Sequence, residues 1–457
     1  MNITRYRSLL PPRLPSTPMR WWVRGDLPAF KRDVLGLLSA AASDSRPVLR
    51  YRLGPVPVFL ANTPEAAAQV LVVQQKSFDK DTRSSDKISG ISGRSLLVVN
   101  GTEWKRKRKL VQPAFHRESL ASLVGMMTET TRAFISEWEQ VAQRGEVVDL
   151  TAECRRITCA IVTHSLFGQE VDPAKDHLAE SMDVVLEHTF NRLGRIWDPP
   201  EWLPWPGNRR FRYHLGVLEA TIKRVLEERR REPGKRGDLL DMLLDARDED
   251  TGEGLSDQEF RDEMMTFFIA GHETTATCLA WTWHLLTQHP DTASRLREEA
   301  ANVLGNHAPT LETLPKLVAH TEALRESMRL YPPIWIIERQ TLQPVTICGC
   351  DIPAGTAVVV SPYALHRRAD CWTDPERFDP SRFAPGVAIP EYAWLPFGAG
   401  PRQCVGNHFA MMEAQIILSM VNRRFEILPT ERKPVVAEPN IALRIKGGLK
   451  VKLRKVE

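Results

Sequence analysis

The sequence predicts a mainly α-helical fold with a small β portion, α+β in class. Apolar residues recur at helical spacing through six long segments. Strand-like runs punctuated by glycine and proline are confined to two stretches. No internal repeat and no flexible linker divides the 457 residues, which favours one compact unit over a string of domains. With 42% hydrophobic and 26% charged residues, the composition supports a large core and little disorder.

Residues 1–25 are basic and proline-rich (Arg5, Pro11, Pro12, Arg13, Pro15, Pro18, Arg20), with no apolar run near the roughly 20 residues that a membrane span requires. Neither a transmembrane anchor nor a signal peptide is expected. The first strand-like run covers residues 49–60, and helical periodicity then runs over 120–141, 176–193 and 213–231. Between the last two lies an irregular tract at 198–208, rich in proline and tryptophan (Pro199, Pro200, Trp202, Pro204, Trp205, Pro206). The longest helical pattern, 256–288, carries its own start signal, because Ser256 and Glu259 three residues later form a capping box. Helices over 292–303 and 315–330 follow, and Pro332 with Pro333 stops the second. The other strand-like run, 341–360, is broken by Gly349, Pro353 and Gly355. A long meander at 361–396 leads to the glycine-rich loop 397–406 and then to an apolar helical stretch (Phe409, Met412, Ile416, Ile417, Met420).

Charge and cysteine usage exclude several function classes. The 61 Lys and Arg against 57 Asp and Glu leave only +4, too small and too dispersed for nucleic-acid binding. Seven cysteines with irregular spacing and no CxxC pair argue against a disulfide framework or a zinc site, and for a reducing compartment, the cytoplasm.

Three constellations carry chemistry. Cys404 lies in the loop Phe397-Gly398-Ala399-Gly400-Pro401-Arg402-Gln403-Cys404-Val405-Gly406, where backbone N–H groups and a following helix N-terminus can stabilise a thiolate; this marks a metal ligand or a nucleophile. Midway along 256–288 stands Ala270-Gly271-His272-Glu273-Thr274-Thr275, and a glycine inside a helix beside an acid and two threonines suggests that something approaches the backbone there. Glu326 and Arg329 share a helix face just before the double proline, while Glu322 and Arg325 repeat the same spacing one turn earlier and read as a solvated decoy.

In this order, the three elements resemble the cytochrome P-450 family of haem-thiolate monooxygenases. The family's FxxGxRxCxG loop is matched by Phe397, Gly400, Arg402, Cys404 and Gly406. Its (A/G)GxxT(T/S) helix is matched by Ala270, Gly271, Glu273, Thr274 and Thr275, and its ExxR by Glu326 and Arg329. Trp104 and Arg108 fit the WxxxR helix, and Pro380-Ser381-Arg382-Phe383 fits the PxRF element, with Arg377 in 375–378 as the fallback for Arg382.

The resemblance implies a cytochrome P-450 fold in a single haem-binding domain at 26–457, preceded by the basic segment 1–25. Haem b would have Cys404 as its axial thiolate, which favours O–O cleavage over oxygen storage. Phe397, Gly398, Gly406, Ala270 and Gly271 would lie against it, and Trp104, Arg108, Arg339 and Arg402 would meet its propionates. Glu273 and Thr274 would relay protons, Arg382 would lock onto Glu326 and Arg329, and parts of 83–97 with Phe267, Phe268, Ala270, Ile334, Trp335 and Ile336 would line a pocket for a lipophilic substrate. The segment 442–445 would close that pocket. The Trp202 to Trp205 loop would stand over the access channel, packed on the surface in preference to resting on a membrane. The chain ends about fifty residues after Cys404, so no fused reductase is expected. Electrons would come from a ferredoxin or flavodoxin with its reductase, docked near the basic run 105–109 of a monomer. Hydroxylation or epoxidation of a fatty acid, terpenoid or polyketide with O2 and two electrons is the implied activity. Peroxide use, isomerisation or dehydration, and haem-based gas sensing stand as the alternatives.

Overall fold

The computed structural model describes residues 25–168, 171, 177–193, 203, 205–231, 236–431 and 433–456. The chain divides into two compact units, each made of three separate stretches. Of the described residues, the first comprises those within Met1–Ser85, Arg329–Phe378 and Gly386–Cys404, and the second those within Asp86–Met328, Asp379–Pro385 and Val405–Glu457. Neither unit is continuous in sequence, which explains why no linker is visible along the chain.

The first unit is built on a five-stranded sheet. Its strands are β1 (Val48–Leu53), β2 (Val56–Ala61), β3 (Phe78–Asp79), β4 (Ile337–Thr341) and β5 (Ala357–Val360), in the order β1-β2-β5-β4-β3. The run at 49–60 is thus a hairpin, with Leu49 opposite Leu60 and Gly54 at a φ of +66° in its turn. β2 and β5 pair in parallel, and β4 runs antiparallel to β5 with Arg339 opposite Val358. A second hairpin, Val345–Ile347 with Cys350–Ile352, turns on Cys348 and Gly349, both at positive φ. Phe59, Val70, Leu71, Val358, Val360, Leu365 and Leu395 form the core of this unit.

The second unit is helical. Its argument-bearing helices are α1 (Gly101–Val111), α2 (Leu123–Arg144), α3 (Leu150–Phe167), α4 (Leu178–Leu193), α5 (Pro206–Arg231), α6 (Asp257–Gln288), α7 (Val318–Leu330, of which the last two residues belong to the first unit) and α8 (Asn407–Arg424). The capping box that starts α6 is formed on both sides, Ser256 accepting from the Glu259 amide and Glu259 from the Ser256 amide. α6 is buried along nearly its whole length and packs on α3 and α8. α3 escapes the sequence pattern for the same reason: buried on most sides, it lacks the polar stripe that reveals a surface helix. α5 begins at Pro206, seven residues before the expected start, because proline suits the first helical turn. Of the expected 198–208 loop only Leu203 and residues 205–208 are described; Trp202 lies outside the described residues, and Trp205 is exposed.

Indoles anchor the helical core. Trp138 meets Trp283 and Phe425 with ring centroids 6.5 and 6.3 Å apart, Trp283 donates to Asn422 Oδ1 at 3.0 Å, and Trp281 donates to Leu443 O at 2.7 Å. Glu413 on α8 is an unusual member of this core, fully buried with neither carboxyl oxygen hydrogen-bonded. Burial pushes its pKa well above the ordinary 4.5, with the Thr275 hydroxyl offsetting little of that. An acid whose folded pKa is raised stabilises the fold fully below its unfolded value and loses that contribution as pH rises toward the folded one. Glu413→Gln is therefore expected to flatten the fall in melting temperature between pH 5 and 8, as read by calorimetry; an unchanged slope would contradict a neutral Glu413.

Candidate active site

In the first unit the cysteine loop is shaped by glycines. Gly398 and Gly400 both have φ of +70°, and a Cβ on Gly400 would lie 2.1 Å from Leu71 O, so no side chain fits there. The loop folds on itself: Gly398 N donates to Leu395 O at 3.1 Å, Gln403 N to Gly400 O at 3.0 Å and Cys404 N to Phe397 O at 2.9 Å. Phe397 meets Trp394 edge-on at 6.4 Å. Cys404 is exposed, and α8 begins three residues later with Gly406 as its N-cap.

Cations gather around this cysteine. Arg339 is buried and Arg402 partly so; burial lowers both guanidinium pKa values to about 10, Arg339 adding repulsion to Arg402. Lys80, just after β3, is driven well below the usual lysine range by burial and by Arg339 and Arg402, with the Cys404 sulfur opposing. The arrangement disfavours its own positive charge and favours an anion. The sequence reading missed Lys80, which sits in no motif, and only the strand pairing that brings β3 beside β4 reveals it.

The ExxR pair serves both units. Arg329, fully buried, donates from Nη1 to His366 O at 2.8 Å and Pro375 O at 2.6 Å and from Nη2 to Arg377 O at 3.0 Å, with its guanidinium 5.2 Å from the Trp372 ring. In the second unit Glu326 accepts from Asp379 N at 2.9 Å and lies 3.4 Å from Arg382 Nε. The arginine facing Glu326 is therefore Arg382, and Arg377 contributes only its carbonyl. The upstream repeat is not solvated as expected: Glu322 is buried against Arg295, and Arg325 lies 4.6 Å over the Phe383 ring.

Within buried α6, Ala270 is exposed while Gly271 and Thr274 are half-buried. Thr274 Oγ1 donates to Ala270 O at 2.7 Å, so its hydroxyl is held on the helix backbone one turn back. Glu273 points elsewhere. It is buried, its Oε1 accepts from Arg444 Nε at 2.5 Å, and Arg444 Nη2 lies 3.6 Å from Asp183. Glu273 Oε2 is buried without a hydrogen-bond partner. Beside Glu273 is a cavity of about 20 Å³ lined by Thr151, Arg155, Thr277 and Arg444 among others, room for one water. The segment 442–445, expected to close a substrate pocket, supplies the partner of the acid. Arg444 went unread because a lone arginine between apolar residues in a short strand carries no motif.

What approaches Gly271 is Val162 of α3, whose Cγ2 would lie 2.9 Å from an added Cβ. Gly271→Ala is expected to destabilise the protein by about 1–3 kcal/mol through overpacking, measured by denaturant unfolding, since a branched valine at a helix interface has little room to yield. An unchanged midpoint would contradict this packing role. Phe267 meets Phe115 edge-on at 5.1 Å, whereas Phe268 sits in the core between Phe167 and His272, with centroids 6.4 and 6.5 Å away. Adjacent residues project about 100° apart on a helix, so Phe268 cannot line the face that Phe267 shares with Ala270. In the first unit Ile334 and Ile336 are half-buried, while Trp335 between them is turned inward. Phe268 and Trp335 are thus packed inward in this structure.

The basic run on α1 is largely committed. Arg106 pairs with Glu259 at 2.7 Å, Lys107 is buried against Glu263 at 3.3 Å, and Lys109 lies 3.0 Å from Glu249. This corrects its reading as a docking patch for an acidic redox protein, because three of its cations are already neutralised. Trp104 is half-buried on the same helix, and Arg108 Nε donates to Gln112 Oε1 at 2.9 Å.

Comparison with known proteins gives a consistent result. A family model described as "Cytochrome P450" matches residues 15–453. Cyclooctat-9-en-7-ol 5-monooxygenase of Streptomyces melanosporofaciens is 34% identical over 433 residues, covering 92% of this chain and 93% of that protein. Pentalenene oxygenase of Streptomyces avermitilis is 33% identical over 385 residues, covering 83% and 84%. Among solved structures, a cytochrome P450DA haem domain superposes with a TM-score of 0.84 at 26% identity, covering 98% of this chain and 97% of that one.

Proposed function

The chain belongs to the cytochrome P450 family, and from that premise we propose that Cys404 ligates the iron of haem b and that the substrate is a terpenoid. The protein is a haem-thiolate monooxygenase that acts on a lipophilic molecule with O2 and electrons from a redox partner. The observation that carries the site assignment is the exposed Cys404 on a loop closed to side chains, with burial disfavouring the charges of Lys80, Arg339 and Arg402 nearby, and the arginines adding repulsion to Lys80. Such a donor set fits haem: a sulfur for the metal and cations for two carboxylates. We assign the propionates to Arg339, Arg402 and Lys80, with Trp104 and Arg108 as further donors. Bound there, haem supplies the oxidising chemistry that no side chain of the protein can.

The protein's own residues bind, orient and move protons. Thr274, on the exposed turn of α6, is the alcohol that hands over a proton, and Glu273 is the acid that resupplies it. Arg444 holds the Glu273 carboxylate, whose unbonded Oε2 borders a cavity with room for one water on the side of α6 away from Thr274, so resupply requires the Glu273 side chain to turn toward Thr274. Phe115, Phe267, Ile334 and Ile336 offer apolar surface. Terpenoids are favoured because two relatives are named for oxygenating cyclooctat-9-en-7-ol and pentalenene. A cytoplasmic monomer served by a ferredoxin or flavodoxin completes the reading. None of the seven cysteines forms a disulfide, which suits that compartment, and no helix among the described residues is long and apolar enough to cross a membrane.

The test is a visible-spectrum titration of the ferric protein with pentalenene, cyclooctat-9-en-7-ol and a long-chain fatty acid. A low-spin to high-spin shift with the terpenoids alone is expected; a shift with the fatty acid alone would refute the substrate class. Thr274→Ala is expected to leave electron consumption largely intact while product per electron falls about tenfold or more, the scale of a lost proton-transfer group. Equal coupling in the variant and the parent would remove Thr274 from the proton path and favour chemistry that needs no O2.

A further inference from the structure

Two cysteines of the first unit flank a single glycine at the tip of a hairpin. The turn that joins Val345–Ile347 to Cys350–Ile352 consists of Cys348, at a φ of +45°, and Gly349, at +77°. Ile347 lies opposite Cys350 and Val345 opposite Ile352, so these four share one face of the hairpin, while Thr346 donates to Asp351 Oδ1 at 2.7 Å on the other. The first face is turned inward. Val345, Ile347 and Ile352 are buried in the core of the unit, and the half-buried Cys348 and Cys350 both pack against that same cluster. Cys348 N donates to Gln69 Oε1 at 3.0 Å, and Gln74 Nε2 donates to Thr346 O at 2.9 Å. Gln69 opens the π-helical turn Gln69–Val73, whose Leu71 O is the atom that lies against Gly400 of the cysteine loop.

The hairpin itself has no use for a cysteine at 348. Both central positions of such a turn have positive φ, which asparagine, aspartate and glycine adopt readily and other side chains resist by about 1–2 kcal/mol. The surroundings supply what thiol chemistry uses. Two α-carbons on either side of one left-handed residue lie roughly 5.5 Å apart, inside the span of about 4.4–6.8 Å that a disulfide bridges. Burial raises the pKa of the Cys348 thiol, and the Glu65 carboxylate hydrogen-bonded to it adds to the rise. Burial and Asp351 raise that of Cys350, and Arg50 opposes them. Oxidants react with the thiolate, so Cys350, beside a cation, is placed as the nucleophile. Cys348, beside a carboxylate that can take its proton, is placed as the thiol that resolves the product. Because burial holds both thiols above their ordinary value, the pair stays reduced until oxidant accumulates.

We propose that Cys348 and Cys350 are a redox pair that closes to a disulfide with hydrogen peroxide, and that closure draws Cys348 off Gln69 and loosens the turn packed against Gly400. The Cys350 thiolate attacks one peroxide oxygen, the O–O bond breaks, and the departing hydroxide takes up the proton that the thiol gave, leaving a sulfenic acid and a water. Glu65 takes the Cys348 proton, the Cys348 sulfur attacks the Cys350 sulfur, and the S–O bond breaks, its hydroxide leaving as water on receiving that proton. Two thiols and one hydrogen peroxide thus give one disulfide and two waters. The oxidant arises from the protein's own reactants, because O2, two electrons and two protons make hydrogen peroxide whenever they are not spent on substrate. In a reducing compartment such a bond is transient, which suits a sensor and not a staple. Only the consequence for the loop of Cys404 rests on the active-site reading above.

The experiment exposes the reduced, haem-loaded parent, Cys348→Ser and Cys350→Ser to hydrogen peroxide and reads each by mass spectrometry. The parent is expected to lose the mass of two hydrogens, about 2 Da, in the peptide that carries residues 348–350, and to regain it with dithiothreitol. Neither variant should show this loss, and in Cys348→Ser the added oxygen should stay on Cys350. Hydrogen exchange over residues 69–73 is expected to quicken about fivefold in the oxidised parent and to stay within about twofold in the treated variants. Oxygen on Cys350 of the parent without a disulfide, or no change in mass, would overturn the pair. A disulfide with unchanged exchange would overturn its hold on the turn. Equal quickening in the variants would assign the effect to peroxide damage elsewhere and overturn that hold as well. Two substitutions keep the outcome readable if one variant fails to fold. A parent that shows no thiolate-bound haem spectrum would refute the haem assignment, a failure distinct from that of the pair.

Discussion

Replacing Cys404 with serine is expected to lower monooxygenase turnover by about 10³-fold or more, the scale seen when an indispensable member of a reacting set is removed. The reason lies in the ligand. A thiolate pushes electron density to the metal and favours O–O cleavage, which a neutral hydroxyl cannot do. The fold should survive, because Cys404 is exposed and contributes its backbone N–H, not its side chain, to the bond with Phe397 O. Circular dichroism should therefore match the parent while the red-shifted carbon monoxide band of thiolate-bound haem disappears. Retention of that band in Cys404→Ser would assign the ligand elsewhere. The other six cysteines are poor substitutes: burial pushes Cys159 and Cys278 up to about 12 and Cys154 well above its ordinary value, and Cys348, Cys350 and Cys371 are also raised.

Arg329→Ala is expected to destabilise the protein by about 3–5 kcal/mol, the range for breaking a buried charged network. The side chain is fully buried and satisfies the carbonyls of His366, Pro375 and Arg377 at once, so its loss leaves three acceptors without this donor, that of His366 buried. Arg329→Lys should recover little, since a single ammonium cannot reproduce the fork that spans these carbonyls, nor stack on Trp372 as a plane does. The check is the denaturation midpoint together with haem content after expression. A variant as stable as the parent would mean that the meander at 361–378 is held by other contacts. The same reasoning ranks Glu326→Gln as milder, because a neutral amide can still accept from Asp379 N while losing the attraction of Arg382.

Much of the site was readable without coordinates because its geometry is local. The glycines at 398 and 400, the arginine two residues before Cys404 and the helix three residues after it lie within a dozen positions, and short-range backbone physics fixes their relation. The capping box at Ser256 and the choice of Glu326 over Glu322 were legible for the same reason, each resting on neighbours along one helix. The choice of Arg382 rested on its sequence spacing to Cys404, and Arg382 Nε lies 3.4 Å from Glu326.

Other features depended on elements far apart in sequence. That Glu273 faces Arg444 and not Thr274, that Gly271 yields to Val162, that Lys107 is buried and not a docking cation, and that Lys80 joins Arg339 and Arg402 all follow from which helices and strands become neighbours. Helical or strand periodicity says that a residue has an inner face, but not what it meets there. Phe267 and Phe268 show the limit most simply: equal in composition and adjacent in sequence, they part by about 100° around the helix axis, and only packing decides that one meets Phe115 and the other Phe167. The sequence by itself determined the helical class and the form of the cysteine loop, because those rest on local backbone preference and side-chain type. The tertiary structure alone decided the partners of the buried charges, because a charge withdrawn from water must be matched by whatever the rest of the chain brings to it.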